Sequence, residues 1–212
     1  IEAICVGMIT WMRSIMTNAI ILGAGLGSRL LPLTKDKPKS LIEFGKKTLL
    51  ERIVEIFRKY GIDDISIVTG YKKEKINLPN ITYFENKNYR ENSTLSSLFC
   101  AQKKISESTI ITYSDIIFQE NILEKLLNVD YDISAVVDRK WIDYWKFRTG
   151  ESIHDATETA IFNEKNMIIS IGEKNPHANG HFIGLMKLQN TGSEKFQEIY
   201  FKTRQNCINN KN

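Results

Sequence analysis

The chain has 212 residues, of which 42% are hydrophobic and 25% charged, with four prolines and a net charge of +4. That composition excludes a disordered or fibrous protein and fits one globular domain large enough for a full core. So mild a positive charge does not demand nucleic acid, although it suits small anionic ligands wherever the basic residues cluster.

Residues 1–16 are read as an N-terminal extension, because the first strand pattern begins only after Met16. The apolar run from Ala3 to Met12 is too short to span a bilayer, and Glu2 stands where an export signal would carry positive charge, so no membrane partner is expected. Cys5, Cys100 and Cys207 lie far apart with no metal-ligand spacing, which points to a reducing, cytoplasmic compartment.

A single domain is expected over residues 17–205. Asn18 to Leu22 reads as a buried strand that breaks into the loop Gly23-Ala24-Gly25-Leu26-Gly27. Leu49 to Tyr60 carries apolar residues at helical spacing, with Leu49, Ile53, Ile56, Phe57 and Tyr60 on one face and Gly61 at the stop. Ile65 to Thr69 completes a strand, helix, strand unit of parallel type. The alternation continues with a strand at Ile81 to Phe84, a helix at Leu95 to Lys104 whose face is Leu95, Leu98, Phe99 and Gln102, and a strand at Thr109 to Tyr113. A helix at Glu120 to Leu127 and a strand at Ile133 to Val137 follow. Ala160 to Phe162 and Met167 to Ile171 form a hairpin around the polar turn 163–166. A strand at Phe182 to Leu188 and a helix at Glu194 to Lys202 close the domain, leaving 206–212 as a polar tail expected to fray. The pattern is that of a three-layer α/β domain whose later strands are partly antiparallel.

The segment Leu22 to Lys39 carries the chemistry. Its glycines leave backbone N–H groups free to approach phosphate oxygens, and Arg29, Lys35, Lys37 and Lys39 add four cations within eleven residues. A dinucleotide fingerprint fails on spacing, since Ser28 stands where the third glycine is needed and Pro32 interrupts the helix that should follow. No Gly-Lys-Ser/Thr closes the segment, so it is not a P-loop.

The segment resembles the signature L-x-A-G-x-G-x-R-L-x-P-L-T-x-x-x-P-K of nucleotidyltransferases acting on sugar phosphates and phosphoalcohols, with Gly23 where alanine is usual. The resemblance implies a Rossmann-like nucleotidyltransferase domain with a mixed central sheet, and the loop Leu22, Gly23, Ala24, Gly25 and Gly27 over the nucleotide. It also implies Arg29 on the β- and γ-phosphates and Lys39 near the α-phosphate. Asp115, at the end of an apolar strand, looks like the acidic position that holds Mg²⁺ in this family. Read alone, it is more readily a cap of the following segment.

Asn92 to Ala101, Tyr113-Ser114-Asp115, Val136-Val137-Asp138, Trp141, Trp145, Arg148, Asp155-Ala156 and Phe182 to Leu185 narrow the resemblance. They look like the small bacterial cytidylyltransferases that activate phosphocholine, aminoethylphosphonate or phosphoglutamine. That likeness implies CTP and a small phosphorylated or phosphonate acceptor as partners, with Gly70, Tyr71, Asn92 and Ser93 beside the base. It also implies a second metal-binding acid late in the chain, for which Glu158 is the first choice and Asp138 the next. Asp138, Trp141, Trp145 and Arg148 are spaced to share one face if their segment is helical, either as a packing seam or as the acceptor site. His154, His177 and His181 receive no catalytic role, and a homodimer is compatible with the sequence. The competing readings are a sugar-1-phosphate nucleotidylyltransferase, against which the short chain argues, and a non-catalytic nucleotide-binding module, against which Arg29, Lys39 and Asp115 argue.

Overall fold

The computed structural model describes residues 16–91, 93–145, 147, 156, 158–172, 175 and 177–209. In chain order, β1 (Asn18–Gly23) leads through the glycine loop and two 3-10 turns to the small hairpin β2 (Glu43–Phe44) and β3 (Lys47–Thr48). Then come α1 (Leu49–Lys59), β4 (Ile65–Thr69), β5 (Thr82–Glu85), α2 (Thr94–Cys100), β6 (Ser108–Tyr113) and α3 (Glu120–Leu127). The second part holds β7 (Ile133–Asp138), α4 (Trp141–Trp145), β8 (Thr159–Phe162), β9 (Ile168–Ile171), β10 (Gly180–Gln189) and α5 (Thr191–Asn209).

Eight strands form one sheet in the order β5-β4-β1-β6-β10-β8-β9, with β7 also paired to β10. The strands β5, β4, β1 and β6 run parallel, whereas β10 is antiparallel to β6, β7 and β8. The mixed sheet expected from the sequence is therefore present. All six residues of β1 are buried, as befits a central parallel strand covered on both faces. Its alternation divides the core: Ala19 and Ile21 join Leu50, Ile53 and Phe57 of α1 and Leu123 of α3, while Ile20 and Leu22 join Leu98 and Phe99 of α2 with Phe196 and Tyr200 of α5. Two helical layers thus enclose the sheet. No helix among the described residues is long and apolar enough to cross a membrane.

Local chemistry sets the element ends. Thr48 and Glu51 form a reciprocal capping box at the start of α1: Thr48 Oγ1 accepts from Glu51 N–H, and the Glu51 carboxylate accepts from Thr48 N–H at 2.7 Å. Those hydrogen bonds hold the Glu51 carboxyl below its usual range. Lys187, buried in β10, donates from Nζ to the carbonyls of Leu127 at 3.0 Å and of Val129, so it serves the free carbonyls at the end of α3. Burial pushes its ammonium pKa down.

Three sequence readings change. The helix begun at Thr94 ends at Cys100, and a 3-10 turn carries Gln102 to Lys104, so Gln102 points to solvent and Leu95 is exposed; Ser97, Leu98 and Phe99 form the buried face. The hairpin β2–β3 has no apolar alternation and was invisible to periodicity. Finally, α5 extends from Thr191 to Asn209, into the stretch expected to fray.

Candidate active site

The parallel strands β1, β4 and β6 all end at one edge of the sheet, where loops and strand ends leave a cleft. β10 is longer than β6. Its residues 185–189 pair with β6, while Gly180 and His181 pair with β8, and β7 lies along its other side. β8 therefore takes up the edge of β10 where β6 stops, and this handover puts Glu158, just before β8, beside the residues that follow β6. The amide of Phe182 donates to the Glu158 carbonyl at 2.7 Å and fixes the junction.

The resulting cavity has a volume of about 660 Å³. Leu22, Ala24, Gly25, Gly27, Arg29 and Lys39 line it from the glycine loop, and Asp115 and Glu158 line it from the strand ends. Gly27 has φ +65°, where a side chain would be strained, and an added Cβ would lie 3.0 Å from Thr34 and 3.2 Å from Lys39. Lys39 Nζ lies 2.6 Å from Asp115 Oδ2. Gly23 does not line the cavity; its Cα faces Ser114 and the Val68 carbonyl, with room at 3.4–3.5 Å for the methyl group that alanine would bring.

A glycine loop, two cations and two carboxylates thus face one cleft. Residues 19–161 match the MobA-like NTP transferase domain. The chain belongs to the MobA-like NTP transferase family. It is 35% identical over 187 residues to a CTP:phosphoglutamine cytidylyltransferase of Campylobacter jejuni, covering 80% of this chain and 72% of that one. It is 34% identical to a 2-aminoethylphosphonate cytidylyltransferase of Lancefieldella rimae over 49% of this chain and 45% of that protein's length. The fold is similar to that of the CTP:phosphocholine cytidylyltransferase from Streptococcus pneumoniae, with a TM-score of 0.61 and 22% identity over 85% of this chain and 74% of that one.

Within this MobA-like domain the other expected residues separate into two groups. Trp145 lines the cavity, and Trp141 packs behind it, both buried with Ala178 and ringed against His181 at centroid distances of 5.6 and 5.7 Å. Asp138 does not share their face: it ends β7, and its carboxylate accepts from the Lys140 amide at 2.8 Å in a local turn, because the helix begins only at Trp141. Gly70 and Tyr71 brace the loop from outside the cavity. Ser93 caps α2 through the Ser96 amide, and the residues of this region that reach the cleft are Tyr89, Thr94 and Ser97. Asn92, Arg148, Asp155 and His154 lie outside the described residues.

Sequence reasoning missed His181 and Tyr113 as residues of the cleft in this MobA-like domain. No local signal separates His181 from the exposed His177, since only the handover from β6 to β8 carries His181 into the site. Tyr113 donates to the Glu158 carboxylate at 3.4 Å and packs edge-on against Phe182. Burial raises the Glu158 carboxyl above its usual range, opposed by the hydrogen bond from Tyr113. Burial, with the negative charge of Glu158 second, pushes the Tyr113 phenol up strongly. Gly184, at φ +85° in a bulge of β10, leaves the space for the Tyr113 ring: a Cβ there would come within 2.3 Å of it.

Proposed function

We propose that this nucleotidyltransferase joins CMP from CTP to a small phosphorylated or phosphonate acceptor and releases pyrophosphate. The observation that carries the reading is the Lys39–Asp115 pair, which closes the glycine loop onto the strand-end acid beside a cleft of nucleotide size. An oxygen of the acceptor attacks the α-phosphorus in line, and the bond to the pyrophosphate oxygen breaks. The acceptor is already anionic near neutral pH, so no proton has to be removed. Catalysis is then a matter of positioning and of neutralising charge, with Arg29 toward the β- and γ-phosphates and Lys39 toward the α-phosphate.

The acids of the cleft suit Mg²⁺. Among the described residues no three acids, histidines or cysteines gather into a closed metal site. Mg²⁺ is commonly held by one or two carboxylates, with phosphate oxygens and water completing its shell. Asp115 and Glu158 would hold it, and when bound it would offset charge on the triphosphate.

The aromatic lining of the cleft supports an acceptor that carries nitrogen as well as an acidic group. Tyr113, Trp145, His181 and Phe182 present aromatic rings beside the Glu158 carboxyl, a setting that favours an ammonium or trimethylammonium group. Phosphoglutamine, 2-aminoethylphosphonate and phosphocholine all have that character.

Pyrophosphate release tests the reading, measured with CTP, UTP, dTTP and ATP against those three acceptors and a set of sugar 1-phosphates. Release with CTP and a nitrogen-bearing acceptor is expected. Release with sugar 1-phosphates alone would overturn the acceptor class, and nucleotide binding without any release would make the chain a non-catalytic module.

A further inference from the structure

The glycine loop leaves β1 at Ala24 and returns by Lys35, and one residue outside the cleft holds both ends. The Tyr71 amide donates to the Ala24 carbonyl at 3.0 Å. Its hydroxyl donates to the Lys35 carbonyl at 2.6 Å, with the Thr34 carbonyl at 3.2 Å. The approach is close enough to require Gly70: a Cβ at that position would lie 2.7 Å from the Ala24 carbonyl oxygen and 2.9 Å from Tyr89. Thr34, fully buried between these anchors, donates from Oγ1 to the Gly27 carbonyl at 2.9 Å, carrying the constraint into the middle of the loop. Tyr71 itself does not line the cleft, whereas Gly25, Gly27, Ser28 and Arg29, which lie between its two anchors, do.

We propose that Tyr71 is a positioning residue, a clip that closes the glycine loop and sets its backbone amides and Arg29 for a nucleoside triphosphate without touching the nucleotide. The proposal rests on the nucleotide reading above. Without the clip, the free loop samples open conformations, and binding has to order it first. That cost raises the apparent dissociation constant in proportion to the lost competent fraction. A hydrogen bond contributes roughly 0.5–1.5 kcal/mol, so loss of the hydroxyl alone corresponds to weakening of up to about tenfold.

Tyr71→Phe keeps the ring and the amide and removes only the hydroxyl. Hydrogen exchange of residues 24–35 in the nucleotide-free protein should accelerate in this variant and return to the wild-type rate once CTP and Mg²⁺ saturate it. The CTP dissociation constant should rise by up to about tenfold, with the acceptor KM unchanged. Thr34→Val, which removes the bridge to Gly27, should accelerate the same exchange through an independent contact. Unchanged exchange in the Tyr71→Phe protein overturns the clip. Weaker CTP binding with unchanged exchange overturns it too, in favour of a direct nucleotide contact. Faster exchange with unaltered CTP binding reduces Tyr71 to a structural residue. If the wild type binds none of the four triphosphates, the nucleotide reading falls and the proposal with it; wild-type binding matched by the variant overturns the proposal alone.

Discussion

Lys39 Nζ and Asp115 Oδ2 stand 2.6 Å apart, so an ion pair joins the segment that follows the glycine loop to the residues that follow β6. Both side chains are 26% exposed. A pair that accessible adds about 0–1 kcal/mol to stability, which makes its position at the cleft more consequential than its energy. Lys39→Ala should leave the melting temperature almost unchanged and lower kcat by roughly 10²–10³-fold, the usual cost of one lost transition-state contact. CTP binding should weaken far less. Steady-state kinetics and thermal melts decide, and near-normal turnover would remove Lys39 from the reaction. Asp115→Asn should likewise melt normally but lose activity at limiting Mg²⁺.

His181 and Trp145 line the cleft, with their rings packed together at a centroid distance of 5.6 Å. Truncating His181 to Ala should raise the acceptor KM by about tenfold or less, the scale of one aromatic or cation–π contact, and leave that for CTP unchanged. Equal effects on both substrates would return His181 to a packing role on the tryptophans.

Gly184→Ala should destabilise the fold by about 2–4 kcal/mol, combining left-handed backbone strain with an overpacked contact. The clash is with the Tyr113 ring, so the cost should shrink in a Tyr113→Ala background. Urea unfolding of the two single variants and the double variant measures the coupling, and strict additivity would place the strain in the backbone alone.

Thr48→Ala removes the cap of α1 and should cost about 1 kcal/mol near neutral pH. Glu51, its reciprocal partner, has a carboxyl pKa held below the usual range by Thr48. A depressed carboxyl contributes stability above its unfolded pKa and loses it as pH falls through the lowered folded value. The wild type's advantage over Thr48→Ala should therefore narrow on acidification across that window. Because the amide of position 48 still donates to Glu51 in the variant, a gap independent of pH would show that the bond from the Thr48 hydroxyl to the Glu51 carboxylate carries no weight.

How far the site was legible follows from where its signals lie along the chain. The glycine loop, Arg29 and Lys39 belong to one continuous stretch, and Asp115 ends a strand whose apolar run is plain, so contiguous residues announced that half of the cleft. Glu158 and Trp145 line the cleft, whereas Trp141 packs against Trp145 and the Asp138 carboxylate accepts from the Lys140 amide in a turn. Asp138 leaves the face of the tryptophans because the helix starts only at Trp141, a boundary that spacing alone does not determine. Gly70 and Tyr71, expected beside the base, do not line the cavity; Tyr71 bonds instead to the backbone of Ala24, Thr34 and Lys35, contacts that no local pattern foretells.

The amino-acid sequence by itself determined most of the order of strands and helices, the parallel first half of the sheet and the glycine-rich, basic character of residues 22–39. Each of those depends on short-range periodicity, glycine freedom or charge density, which are properties of neighbouring residues. Only the tertiary structure decided that β8 continues the edge of β10 where β6 ends, and with it the meeting of Tyr113, Glu158, Phe182 and His181. That handover is a choice of backbone hydrogen-bond partner among strands far apart in the chain. β6 and β10 share a register 73 residues apart at Thr112 and Leu185. Pairing of this kind is settled by burial and shape across the whole sheet, and no local pattern in either strand encodes it.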